Sequence, residues 1–327
     1  MSEEYLNGVS AKENLSDDEM ASLPTWVTSN LSTARIIGST LRTIELQDGR
    51  RYSLDNTIND LAGADWTKYI CSVVNTHYST KGADGYAHEL RKIHPTPKPP
   101  QLMKNIIEFF TKEGEIVFDY FMGVGGSLLG ASLCNRRGAG IELNPIYVDT
   151  YKEAAKKLNL PISPCIVGDS NQLLSNEDTI NHLLCNEKAG LILIDPPYSN
   201  MMSKPKTGAD MTVYGNRATP FTNSDLDLGN IPYCEFLPKL KAIVEKSLQY
   251  LKNKGYLIIF CKDMQPKKKE LHMLHADIVT MLNEIPSLYY RGLKIWADQT
   301  VKLFPYGYPF DFVANQIHQY ILIFRKY

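Results

Sequence analysis

The stretch IVFDYFMGVGGSLLGASLCNRRGAGIEL (residues 116–143) decides the fold. Ile116, Val117 and Phe118 form a short apolar run that ends on a carboxylate, Asp119. Gly123, Gly125 and Gly126 follow, and a helix of small residues opens at Ser127. It closes on Arg136, Arg137 and Gly138, and a second apolar run, AGIEL, delivers Glu142. A strand with no polar face, followed by a helix and another such strand, belongs to a parallel sheet covered on both sides. Glycines between strand and helix let the backbone turn tightly and come close to a ligand.

The same alternation extends outward. PQLMKNIIEFFTKEG before it has apolar residues at helical spacing and a stop at Gly114. PIYVDTYKEAAKKLNL after it is a helix with Pro145 in its first turn. ISPCIVGD, AGLILIDPP, NKGYLIIFCK and QYILIFRKY read as further strands, and CEFLPKLKAIVEKSLQYLKN as a covering helix. The expected class is α/β with a mostly parallel sheet. Residues 93–327 make the regular domain, and residues 1–92 a smaller N-terminal region of short strands (TARIIGSTLRTIEL, GRRYSL) and a helix around TINDLAGADWTKYICSVV. The first twenty residues read as a mobile arm. YSTKGADGYAHELRKIHPTPKPP, between the two regions, reads as a linker or functional loop.

Bulk composition narrows the function classes. A hydrophobic fraction of 43% supplies a core, and a net charge of −1 advertises no global nucleic-acid-binding field, so any such contact needs a local basic face. The six cysteines form no C-x-x-C pair; they read as free thiols of a cytoplasmic chain, and no metal is called for. The N-terminus has no signal-peptide core, and no apolar run is long enough to span a membrane.

Two constellations carry chemistry. In the first, the Gly-rich loop after Asp119 stands beside Glu142, a carboxylate placed to accept both hydroxyls of a ribose. The loop lacks the Gly-Lys-Ser/Thr of a P-loop, and Leu128 stands where a dinucleotide fingerprint has its third glycine. The pair signals a nucleoside-containing cofactor. Asp169, at the end of the third strand, is placed to accept from an adenine amino group, or simply to cap the next helix. The second constellation is LILIDPPYS (191–199). Open parallel sheets bind ligands at the carboxyl ends of their strands. Proline fixes its own φ and holds the residue before it extended. Asp195 and the Pro196 carbonyl are therefore expected as two fixed acceptors facing one –NH2 group, with Pro197 stiffening the exit and Tyr198 offering a stacking face.

DPPY preceded by FDYFMGVGGS resembles the S-adenosylmethionine-dependent amino-methyltransferases. HPTPKPPQLMKNIIEFFTKEGEIVFDYFMGVGGSLLGA, then GIELNPIYVDTY and the terminal HQYILIFRK, are similar to the N-4/N-6 DNA methylases in particular, over about residues 90–327. The family's usual D-P-F is Asp119-Tyr120-Phe121 here, and its G-S-G is Gly123-Val124-Gly125. The resemblance implies a Rossmann-like seven-stranded sheet with an antiparallel last strand, in the unpermuted motif order. It implies that Phe121, Gly123 and Gly125 wall the cofactor and that Asp119 sits near its amino-acid end. It implies that Glu142 holds the ribose, and that His94, Pro95, Lys98 and Pro99 close over the methionine moiety. The expected activity is site-specific adenine-N6 methylation of double-stranded DNA with the target base flipped, as in restriction-modification systems. Cytosine-N4 is the nearest alternative, then RNA bases or a non-catalytic partner subunit. A nicotinamide oxidoreductase would have no use for DPPY. Residues 199–232 are expected to contact DNA through Lys204, Lys206 and Arg217, with Arg35, Arg42, Arg50, Arg51 and the lysines at 267–269 as further phosphate contacts. The reading leaves room for a homodimer.

Overall fold

The computed structural model describes residues 8–203, 218–264 and 272–327. Strands are numbered β1 to β12 along the chain. A small antiparallel sheet runs β1 (Val9–Ser10), β2 (Arg35–Ile37), β3 (Thr43–Glu45) and β4 (Arg51–Ser53) in order. The main sheet contains β5 (Val73–Thr76), β6 (Ile116–Asp119), β7 (Arg137–Glu142), β8 (Cys165–Val167), β9 (Ala189–Ile194), β10 (Leu251–Cys261), β11 (Leu288–Asp298) and β12 (His318–Lys326). Its spatial order is β5-β11-β12-β10-β9-β6-β7-β8.

From β6 the chain builds outward through β7 and β8, then returns to lay β9 and β10 on the other side. The order therefore reverses between β6 and β9, and a crevice opens outside the carboxyl ends of these strands. β12 is antiparallel to both neighbours, as expected. The sheet has eight strands rather than seven, because Val73–Thr76 joins β11 in parallel. This strand crosses the expected boundary at residue 92. The helix expected over residues 57–74 is shorter, Gly63–Tyr69, and the β-branched pair Val73–Val74 that follows goes into the sheet.

Every residue of β6 and β9 is buried, which is what their unbroken apolar runs require. The helix Pro100–Phe110 turns Leu102, Met103, Ile106 and Ile107 onto one face of the sheet. The helix Tyr233–Ser247 packs Phe236, Leu240, Ile243 and Val244 on the other. The small sheet has a separate core around Val27, Ile36, Ile44 and Tyr52. Residues 8–23 are not an arm: Ala11, Leu15 and Leu23 are buried in that core. The small sheet is tied to the main one by a buried ion pair, Arg136 to Asp60 at 3.0 Å, and by Asn59 Nδ2 donating to the Phe109 carbonyl at 2.7 Å. Among the described residues no helix is long and apolar enough to cross a membrane.

Candidate functional site

The crevice holds a cavity of about 290 Å³. Its floor is made by strand ends. β6 ends at Asp119, and the turn after it presents Phe121 and Gly123. β7 presents Glu142, β8 is followed by Asp169, and β9 is followed by Asp195, Pro196, Pro197 and Tyr198. His94, Pro95 and Lys98 close the cavity from the preceding loop. The two constellations seen in the sequence thus share one wall. Gly125 and Pro99 do not line it: Gly125 carries the turn into the helix Gly126–Ser132 with φ +73°, and Pro99 starts the helix Pro100–Phe110.

Each carboxylate has defined partners. Glu142 accepts from the Gly123 N–H at 2.8 Å and the Asn144 N–H at 2.9 Å, so it fixes both the Gly-rich loop and the next helix entry. Asp119 accepts from the Phe121 N–H at 2.9 Å and from the Ser127 hydroxyl, and it lines a small chamber between the Gly-rich loop and Lys98. Asp169 caps the helix Ser170–Leu173 by accepting from the Asn171 N–H at 3.0 Å, while also facing the cavity. Asp195 is engaged on both oxygens: Tyr198 donates its hydroxyl to Oδ1 at 2.5 Å, and Lys98 Nζ pairs with Oδ2.

Burial pushes Asp119 and Glu142 up to about 7 each. Their neighbours add to it: the charges of Asp195 and Glu142 raise Asp119, and that of Asp227 raises Glu142. A raised carboxyl binds its proton more readily folded than unfolded. Its stabilising contribution is complete below the unfolded value of about 4 and is lost as pH rises through the folded one. Glu142→Gln should therefore flatten the fall of Tm between pH 5 and pH 8. A profile parallel to that of the unmodified chain contradicts the assignment.

His94 is held neutral. Burial drives it down to about 3, with Lys98 and Arg91 reinforcing, and Nδ1 accepts from the Thr96 N–H at 3.2 Å. The ring stacks on Phe221 at 5.0 Å and meets Tyr147 edge-on at 4.8 Å. A Cβ on Gly123 would come within 3.3 Å of its Nε2, so loop and ring are in close contact.

Three contributors carried no signal in the sequence. Arg91 is fully buried, and its guanidinium donates to the carbonyls of Lys98 and Val124, strapping the closing loop to the Gly-rich turn. Phe221 and Asp227 come from the polar stretch after the Asp-Pro-Pro-Tyr segment. Asp227 accepts from the N–H groups of Thr222 and Gly229, folding that stretch so that Phe221 reaches His94. The described parts of 199–232 thus form a cavity wall through Met201, Met202, Phe221 and Leu228. Lys204, Lys206, Arg217 and the lysines at 267–269 lie outside the described residues. In the small sheet, Arg42, Arg50 and Arg51 are paired with carboxylates of the same region, and Arg35 has no such partner among the described residues. Among the described residues no cluster suited to a metal ion occurs.

The Gly-rich turn, the strand-end acid and the Asp-Pro-Pro-Tyr exit are thus joined in one cavity. Residues 42–153 match the family model described as DNA methylase, N-6/N-4 type. That match includes His94, Lys98, Asp119, the glycines and Glu142, and stops before Asp195. The type II methyltransferase M.HpaI of Haemophilus parainfluenzae is 33% identical over 97 residues, 30% of this chain and 28% of the relative. M.HindIII of Haemophilus influenzae is 39% identical over 72 residues, 22% of each chain. The matched stretches span about a quarter of these relatives' lengths. Among solved structures, TrmN from Thermus thermophilus aligns with 70% of this chain and 48% of its own, at 13% identity and a TM-score of 0.42. That loose likeness adds nothing to the sheet order described above. The likeness to the N-6/N-4 DNA methylases is therefore carried by residues 42–153 and by the stretches shared with these relatives.

Proposed function

We propose that the chain transfers a methyl group from S-adenosylmethionine to the 6-amino group of an adenine flipped out of duplex DNA. The observation that carries this reading is the single cavity that joins Glu142 and the Gly-rich turn to Asp195 and Pro196. The residues fit the cofactor. The turn leaves no room for a side chain at Gly125, a Cβ on Gly123 would press on the His94 ring, and a buried acid stands at the end of β7. Glu142 would take the ribose hydroxyls, Asp119 the amino-acid end, Asp169 the adenine edge, and Phe121 and His94 the walls. When bound, the cofactor supplies an electrophilic methyl group on a positively charged sulfur.

The chain's own task is at the acceptor. An exocyclic amino nitrogen is a poor nucleophile because its lone pair is delocalised into the ring. Asp195 and the Pro196 carbonyl accept hydrogen bonds from its two N–H groups and draw the nitrogen toward tetrahedral geometry, which frees the lone pair; once the nitrogen carries the methyl group, one of these hydrogens is lost as a proton. Positioning and fixed acceptors carry much of the acceleration. Extruding the base costs about a few kcal/mol. The preference for adenine rests on the resemblance: family members acting on cytosine more often have Ser where this chain has Asp195. The loop between β11 and β12 opens at the same sheet edge as the cavity, and it exposes Tyr308, Phe310 and Phe312 almost fully, a surface suited to contact with a base stack. Recognition falls to this loop, to 199–232 and to the small N-terminal sheet.

Purified chain, duplex DNA and labelled S-adenosylmethionine, followed by nucleoside mass spectrometry, test the reading. N6-methyladenine is the expected product. N4-methylcytosine transfers the same mechanism to the other base, and the absence of both overturns it. The Arg91 strap gives a second test. Arg91→Met should weaken S-adenosylhomocysteine binding by about tenfold, because two carbonyls lose their donor and the closing loop loosens. Calorimetry showing unchanged affinity would remove Arg91 from the account.

A further inference from the structure

The cavity is acidic. Glu142, Asp169, Asp195 and Asp227 face it, and Asp119 and Asp195 face the small chamber beside it. Such a lining suits a ligand's cationic groups and repels its carboxylate. Lys98 and Lys262 are the cationic side chains on the main cavity among the described residues, since His94 is neutral. Lys98 differs from Lys262 in facing both spaces. Its Nζ pairs with Asp195 Oδ2, and the two side chains are only 7% and 17% exposed.

The backbone of Lys98 cannot follow its ammonium. Arg91 holds the carbonyl, and a Cβ on Gly126 would lie 2.9 Å from that same oxygen, so the loop is pressed against the Gly-rich turn. The side chain beyond is a four-carbon stem with a rotatable charged end. The Phe260 ring lies 5.3 Å from Nζ and offers the cation a second favourable neighbour. Leaving either charge of a buried pair without a partner is costly, so Lys98 leaves Asp195 only for another anion.

We propose that Lys98 is a positioning residue that passes from Asp195 to the carboxylate of the cofactor's amino-acid end, and so uncovers Asp195 Oδ2 for the target amino group. This rests on the methylase reading above. Cofactor binding then precedes base capture, because the acceptor that holds the base is covered until Lys98 moves. The exchange also places a cost on cofactor binding, since the Lys98–Asp195 pair must be given up.

Two ligands separate the elements of this proposal: S-adenosylhomocysteine, which carries the carboxylate, and methylthioadenosine, which lacks the whole amino-acid end. Calorimetry on the full chain should give three results. Asp195→Asn tightens S-adenosylhomocysteine by about tenfold and leaves methylthioadenosine unchanged, because Lys98 no longer has a competing anion. Lys98→Gln weakens S-adenosylhomocysteine by a similar factor, again without moving methylthioadenosine. The double variant behaves as Lys98→Gln alone, since the gain depends on the ammonium. A wild-type ratio of the two affinities in Asp195→Asn, or a gain that persists in the double variant, overturns the proposal. Should Asp195→Asn fail to fold, Lys98→Gln decides by itself: equal losses for both ligands mean that Lys98 only supports the loop. Failure of both ligands to bind the unmodified chain overturns the methylase reading instead.

Discussion

Asp195→Asn lowers the rate of methyl transfer by about a thousandfold or more while S-adenosylhomocysteine still binds. The substitution keeps the shape of the side chain and changes its chemistry. A carboxylate offers acceptors only, whereas the amide turns a donor pair toward the incoming amino group. The carboxylate is already oriented by the Tyr198 hydroxyl on Oδ1, and the exchange of Lys98 frees Oδ2, so little remains to organise when the base arrives. Single-turnover transfer to duplex DNA, read beside calorimetry for the ligand, separates the two properties. A rate within tenfold of the unmodified chain would remove Asp195 from the reaction.

Gly125→Ala should be the most damaging single change in the cofactor loop. Gly125 has φ +73°, a conformation that costs a side chain about 1–2 kcal/mol. Its Cβ would also stand 2.1 Å from Cδ2 of Tyr151. That ring is fully buried, and its hydroxyl accepts from the Ser163 N–H at 2.8 Å, so it has nowhere to retreat. Together the strain and the overlap should cost about 3 kcal/mol or more, about 4 °C or more in Tm for a chain of this length. Cofactor affinity should fall with it. Gly114→Ala is the matched control: φ is +79°, but nothing lies within 4 Å of its Cβ. Equal effects of the two substitutions would mean that backbone conformation alone, and not the approach to Tyr151, makes Gly125 necessary.

The legible part of the fold was the part with unmixed burial. β6, β7 and β9 are short apolar runs between turn signals, and the helices between them show helical spacing. β11 was not singled out because most of its residues are only partly covered and Arg291 and Lys294 interrupt it. β5 was hidden because its four residues follow a helix without a break signal, and its partner lies more than two hundred residues ahead. At the site, Asp195, Glu142 and the glycines were visible because strand ends in an open sheet have a fixed geometric meaning. His94 and Lys98 were reached by resemblance. Arg91 was not visible at all. It stands in HELRKIHP among other charges, where a solvated guanidinium is the ordinary expectation, and only the folded loop shows its carbonyl partners. Phe221 was missed because a polar loop gives no sign of folding inward until Asp227 is seen capping it.

One cavity is proposed to bind a methyl donor and to present Asp195 and Pro196 to a base amino group. DNA from cells expressing the chain, sequenced with detection of modified bases, tests it most directly, with cells expressing Asp195→Asn as the control. N6-methyladenine at one recurring sequence is expected with the unmodified chain, and none with the variant. Unmodified DNA in both cultures, or equal modification in both, would contradict it.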